Sequence, residues 1–495
     1  MNKKEKQNSP GPALFKRPKN PQLKNPLSIK ITFQIFRGSR ISAQAGRIFM
    51  KNRRNENMNK YTLKIFMICL TLLLVAAAQP ALGSEWAQFQ NDKNNSGVTA
   101  DAAPIDPRYL ANWSVDINAP LDAAPVTGDG KVYEVAASGD VSAYYLNNRT
   151  LAWKNDDIQG TGGFELSTPA YNDGTLYVAL SRGNASTHTE IHALYTCNGS
   201  VKWSNTSLGT YQTNTPITYS NDRIFFGTAN VDTISTTNAG DYYCFNASTG
   251  QFIWKRSSET SSGYYWAGAA VAGNYAIYGD DAGHIVSVEW NNVTNGEVWK
   301  QDDVNVSGLY GVSGKIRSSI CYSEEEGRIY FATRSGSHTC YVGFNATTGN
   351  FVPDDKDYNN IGYTSTPVVY NGRVYVGAGG WAQGAKLYCL DADTLNENWN
   401  YTGSTGGIQG SPAISTYYDG ANGGQSGDVY VYFTNNGPAG SLYCLKDTPS
   451  TTSMDEALWI FTPEDATYTL QGPAILNGSV FFGNDNGYLY EVYTA

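Results

Sequence analysis

The side chains spaced for chemistry in this 495-residue chain fall mostly on turns. "GDDAGH" from Gly279 and "YDGANGGQSGD" from Tyr418 set Asp and Asn oxygens in tight glycine turns, the hard donors that calcium prefers, without the spacing of an EF-hand. Calcium is the one metal these residues suggest, acidic turns are also ordinary solvated loops, and no other cofactor is expected. His188, His192, His284 and His338 are the only histidines, and three of them stand beside apolar strands, as hydrogen-bonded strand entries do. Cys244, Cys389 and Cys444 precede "FNA", "LDA" and "LKD" at one repeated position, which points to thiols filling a core; if a disulfide forms, Cys321 and Cys340 are the preferred pair, with Cys197 left over. The aromatic residues outside any strand pattern are the best binding candidates. Tyr264, Tyr265 and Trp266 in "SSGYYWAGAA" and Trp381 in "GGWAQGA" have glycine nearby, where a ring could stack on a sugar or anchor a protein, or simply cap a strand end.

The elements that position these residues begin after a leader. Residues 61–82 hold a short apolar run behind Lys60 and Lys64, followed by "ALGS", a small-residue cleavage pattern, so 58–83 reads as a signal peptide and 1–57 as a disordered extension or a mis-assigned start. Residues 1–64 carry 16 of the 35 Lys and Arg but only 2 of the 44 Asp and Glu, leaving the remainder at a formal −23. Such a surface repels phosphate backbones, which argues against nucleic-acid partners and suits an extracellular or cell-surface protein. Twelve Asn-x-Ser/Thr triplets follow the leader and would be glycan acceptors on an exported chain.

From residue 84 to 495 the chain repeats. Trp113, Trp153, Trp203, Trp254, Trp299, Trp399 and Trp459 close similar strands at a period near 50, with "TTGNFV" at Phe351 and Val352 supplying a missing copy. Each unit parses as a short strand, an Asn-Gly or Asp-Gly turn, an alternating apolar strand, a third strand, a second turn and the strand bearing Trp. Eight second strands run from "KVYEVAAS" to "SVFFGNDN". The last unit stops after its third strand, while "LANWSVD" around Trp113 has no unit before it. The pattern therefore predicts an all-β, eight-bladed propeller of four-stranded antiparallel blades whose last blade is closed by the N-terminal strand, leaving no edge at the seam.

"FNASTGQFIW", "FNATTGNF", "LDADTLNENW" and the opening "WAQFQNDKNNSGVT" resemble the pyrroloquinoline-quinone-like propeller repeat family over about residues 86–495. That resemblance implies the propeller fold and two kinds of relative: dehydrogenases that hold the quinone and calcium above the ring, and noncatalytic propellers. The adjacent Cys-Cys pair of the methanol-dehydrogenase type and a Cys-x-x-Cys-His heme motif are both missing, and no cysteine ends the leader for lipid attachment. The sequence reading is a secreted or cell-surface noncatalytic scaffold that binds a protein or polysaccharide of the cell envelope through Tyr264, Tyr265, Trp266 and Trp381. A quinone-dependent extracellular oxidoreductase and a carbohydrate-acting enzyme are its alternatives.

Overall fold

Strand follows strand through the computed structural model, which describes residues 85–158, 167–181, 189–206, 208, 212–229, 240–258, 263–291, 306–334, 338–359, 364–380 and 383–495. The leader, residues 1–57, His188, Trp299 and Trp381 lie outside the described residues.

Eight sheets form the ring. Blade 1 comprises Val126–Gly128, Lys131–Val135, Val141–Tyr145 and Leu151–Asn155, and blades 2 to 6 repeat that order up to Glu397–Tyr401. Blade 7 adds a fifth strand: Val98–Thr99 pairs parallel to its innermost strand, Ala413–Ser415. In blade 8, Leu110–Asp116 lies antiparallel to Tyr488–Thr494, with Ala111 opposite Tyr493 and Asp116 opposite Tyr488. The eight blades and the closing seam are thus as the repeat predicts.

Blades are joined at two radii. Near the axis, a loop amide of one blade donates to a hydroxyl of the next: Ala124 to Thr168 at 3.1 Å, Gly268 to Ser319 at 2.9 Å, Ser319 to Thr366 at 3.0 Å and Thr366 to Ser411 at 2.9 Å. Farther out, the Trp153 indole donates to Thr196 O at 2.7 Å and the Trp203 indole to Ala247 O at 2.9 Å, each on the following blade. The turn glycine of that blade must be bare. A Cβ on Gly199 or Gly250 would lie 2.4 Å from the indole of Trp153 or Trp203, and both glycines hold φ near +70°. The Thr-Gly turn and the tryptophan of the repeat are therefore two halves of one inter-blade contact.

The same geometry explains the cysteines. In five blades the tryptophan of the fourth strand faces a small residue on the third: Ala143, Ala193, Cys244, Cys389 and Cys444 stand opposite Trp153, Trp203, Trp254, Trp399 and Trp459. These three cysteines are buried free thiols, as expected. The preferred disulfide does not form. Cys321 and Cys340 are both free and sit on first and third strands of blade 5 with Arg328–Ala332 between them, a separation of about 9–10 Å at normal strand spacing that a disulfide cannot span.

Candidate functional site

The segment Trp86–Thr99 runs around the axis like a belt, and its contacts visit the innermost strands in turn. Trp86 O, Ala87 O and Gln88 Oε1 accept the amides of Thr127, Tyr171 and Tyr219 in blades 1, 2 and 3. Lys93 O and Asn94 O accept those of Val271 and Tyr322 in blades 4 and 5, and Gly97 O accepts that of Ile414 in blade 7. Gly97 packs so closely on blade 6 that a Cβ there would meet Val368 at 2.5 Å. Just beyond, Asp101 and Ala102 accept the amides of Asn477 and Gly478 in blade 8. One short segment thereby fills the axis at the level of the first strands.

What stays open is a shallow funnel, a cavity of about 60 Å³ inside about 500 Å³ of space that opens to solvent. All eight blades line it through the loops that lead into their first strands: Asp122, Thr168, Asn214, Trp266, Ser319, Thr364, Gln409 and Gln471, with Phe89 contributed by the belt. Most hydroxyls here are spent on neighbouring backbone. Ser319 Oγ accepts from Gly268, and the blade 2 loop uses Ser167 Oγ to bond Thr215 O at 2.8 Å. Asn214 and Gln471 stand in the place that Ser167 occupies, two residues before a proline. Neither conforms. Asn214 lies beside the Tyr265 hydroxyl, yet neither its Oδ1 nor its Nδ2 completes a well-formed hydrogen bond. Gln471 donates to Leu121 O at 2.9 Å and leaves its Oε1 unmatched.

At the boundary of blades 8 and 1 the funnel wall carries acids. Burial, then the neighbouring Asp485, raises the pKa of Asp122 far above the carboxylate range, and burial raises that of Asp485. The two carboxyls are near enough for Asp485 to raise the Asp122 pKa further, and Oδ1 of each has no hydrogen-bond partner among the described residues. Behind them Glu134 is fully buried with both carboxyl oxygens unmatched, and burial pushes its pKa well up as well. At neutral pH Asp122 and Glu134 keep their protons while Asp485, raised only to about 6, carries a charge, so this wall is weakly acidic.

Half a ring away, blades 4 and 5 carry aromatic and cationic groups. Tyr265 stacks on Trp266 with ring centroids 4.9 Å apart, and the Arg317 guanidinium lies 4.4 Å above Tyr265. Arg334 is 5.9 Å from the Trp266 ring. Arg317 grips Asp281 with both ends of its fork at 2.9 and 2.6 Å. Trp266 holds φ of 70°, a left-handed conformation rare for a bulky residue and one that surroundings must enforce.

Of the aromatics picked out by sequence, Tyr265 and Trp266 are half-buried, with Trp266 in the funnel wall. Tyr264 is 1% exposed, set edge-on to Tyr242 and Tyr278 in the core because its first-strand approach turns that side chain inward. Trp381 falls outside the described residues. The acidic turns are engaged internally: Asp280 Oδ1 accepts the Ala282 and His284 amides, Asp419 accepts from Gly427 and Tyr370, and Asp428 pairs with Lys446 at 2.8 Å. Among the described residues no three His, Cys, Asp or Glu side chains gather as a metal site would need. Asp122, Asn214, Gln471 and Asp485 were not apparent from sequence, where each is a single departure in a different repeat.

The family described as outer membrane protein assembly factor BamB matches residues 111–292 and 238–494. No curated protein sequence matches the chain. Among solved structures, BamB from Moraxella catarrhalis is similar at 13% identity and a TM-score of 0.52, over 78% of this chain and 97% of that one. The quinohemoprotein alcohol dehydrogenase from Comamonas testosteroni is similar at 13% identity and 0.60, over 84% and 82%. The computationally designed Ika8 protein is similar at 12% identity and 0.53, over 77% and 98%. At these identities the likeness is one of fold.

Proposed function

Because the chain belongs to the family described as outer membrane protein assembly factor BamB, we propose that it is a noncatalytic binding propeller of the cell envelope, outside the cell or on its surface, that takes its partner at the funnel mouth. The observation that carries this reading is the makeup of the funnel wall, polar side chains without Lys or Arg among the described lining residues and one indole, above a belt that bonds to the innermost strands. Among the described residues no helix is long and apolar enough to cross a membrane. In the described wall the thiols play no part: five of the six are buried in sheets, and burial raises the pKa of Cys244, Cys321 and Cys444, which leaves them poor nucleophiles.

A quinone-dependent oxidoreductase is the second reading, favoured by Trp266, an indole placed where a planar ring could stack. A tricarboxylate quinone would ask for cations around its slot. Among the described lining residues there is no Lys or Arg, Arg317 beside the wall is taken up by Asp281, and the far wall is an acid pair. The described residues do not suit that cofactor. Incubation with the quinone and calcium, followed by absorbance and dye-reduction assays with alcohols and sugars, separates the two readings: no retained chromophore and no turnover is expected. A stoichiometric chromophore with substrate-dependent dye reduction would overturn the binding reading.

A further inference from the structure

The funnel carries its own clue to ligand class. In the repeat, the residue two places before the first-strand proline is a serine at Ser167 and Ser365, and both hydroxyls are used internally, by Thr215 O and the Gly377 amide. The other blades therefore act as internal controls for what the architecture needs. Asn214 and Gln471 exceed that need: each is at least 96% buried, each lines the funnel, and three of their four side-chain polar atoms are unmatched. Asp122, also at least 96% buried, adds a fourth unmatched atom, Oδ1, from the same wall. Most buried polar atoms are matched in folded proteins; Ser287 Oγ and Thr339 Oγ1 are unmatched singly within sheets, whereas at the funnel the unmatched atoms gather around one opening, where a ligand can supply partners.

Resting on the binding reading above, we infer that the funnel holds a neutral, hydroxyl-rich unit, the end of a glycan chain, between the Trp266 indole and the polar atoms of Asp122, Asn214 and Gln471. The wall supplies both donors and acceptors: an amide N–H and carbonyl from Asn214, a carbonyl from Gln471, and a protonated carboxyl from Asp122. A vicinal diol is matched by such a set, since each hydroxyl donates once and accepts. The indole offers a face for the C–H side of a sugar ring. Neither an anion nor a simple apolar ligand is served, because the described lining has no cation and leaves too many polar atoms to satisfy.

The test is titration calorimetry on the full mature chain with a neutral hexose trisaccharide, an N-acetylhexosamine trisaccharide, a hexuronate trisaccharide and calcium chloride alone. At least one neutral trisaccharide should bind, and Asn214→Ala and Gln471→Ala should each weaken it 10-fold or more with melting temperature nearly unchanged. Asp122→Asn, which keeps a donor and an acceptor, should retain binding where Asp122→Leu loses it. Binding of hexuronate or calcium in place of neutral sugar, or equal affinity in the Asn214 and Gln471 variants, would overturn the inference. If no saccharide binds while the protein still attaches to purified envelope, the glycan assignment falls and the binding reading stands; quinone-dependent turnover would instead bring down the reading beneath it.

Discussion

The blade 8–1 wall and the blade 4–5 wall face each other across the funnel, and they bury carboxylates by opposite means. At blades 4 and 5, Asp281 is buried with a cation: Arg317 holds it in a two-pronged contact and Lys315 approaches to 3.6 Å. At blades 8 and 1, Asp122, Asp485 and Glu134 have no such cation; burial drives protons onto Asp122 and Glu134 and raises Asp485 only to about 6. An ion pair fixes geometry, since its partners must stay aligned, and here it braces the stacked Tyr265 and Trp266. A proton fixes very little. The protonated wall can redirect its hydrogen bonds toward whatever enters, so rigidity is concentrated on the aromatic side and adaptability on the acid side.

The largest break in this comparison comes from Arg317→Ala. It leaves Asp281, whose side chain is 5% exposed, with only Lys315 at 3.6 Å, so unfolding stability should fall by about 3 kcal/mol, read by denaturant titration. A loss below 1 kcal/mol would mean Asp281 simply turns to solvent. Fluorescence of Trp266 should shift in the same variant as its cationic neighbour leaves.

Next is Asp122→Asn, whose effect depends on pH. A carboxyl with a raised folded pKa is favoured by folding only while protonated; that contribution is whole below the unfolded value of about 3.9 and lost as pH rises through the folded value. The wild type should therefore lose stability relative to Asp122→Asn as pH climbs from 4 to 9, by about 2 kcal/mol at the alkaline end. Parallel melting curves across that range would show that Asp122 is not held protonated. Glu134→Met, which removes two unmatched buried oxygens at nearly constant volume, should stabilise by about 1 kcal/mol at pH 7. The smallest effect sharpens the comparison: Asn214→Ser restores the residue found at Ser167 and should gain about 0.5 kcal/mol while weakening glycan binding. A variant that loses stability would place Asn214 in the architecture.

Much of the ring could be read directly from sequence because its signals are local. Asn-Gly turns, apolar alternation and the Thr-Gly to Trp spacing each lie within about a dozen residues, and together they yield eight blades and the seam at Trp113. The cysteines were legible only in part: the repeated position of Cys244, Cys389 and Cys444 gave core thiols, but the two-strand gap between Cys321 and Cys340 appears only in the register. The site was least legible. The aromatic run led to the right loop for Trp266, yet Tyr264 two residues earlier points into the core, since the left-handed φ of Trp266 breaks the alternation that would put both on one side. Asp122, Asn214 and Gln471 come together only by ring closure, from positions up to 349 residues apart. For Asn214 and Gln471 the signal was available as departures at the serine two places before proline, a comparison between repeats that strand patterning does not make.

The belt has a bearing on how the protein is made. Its residues precede every blade in the chain, yet Gly97 reaches Ile414 and Asp101 reaches Asn477, so the earliest segment to be synthesised finds its last partners only when the final blade exists. Contacts spanning more than 300 residues are entropically slow to close. Until then the nascent chain is an open fan of sheets with two bare edges, each able to pair with a neighbour's strand. Seating the belt and Leu110–Asp116 removes both edges in one late event, which makes completion of synthesis and the loss of aggregation risk coincide.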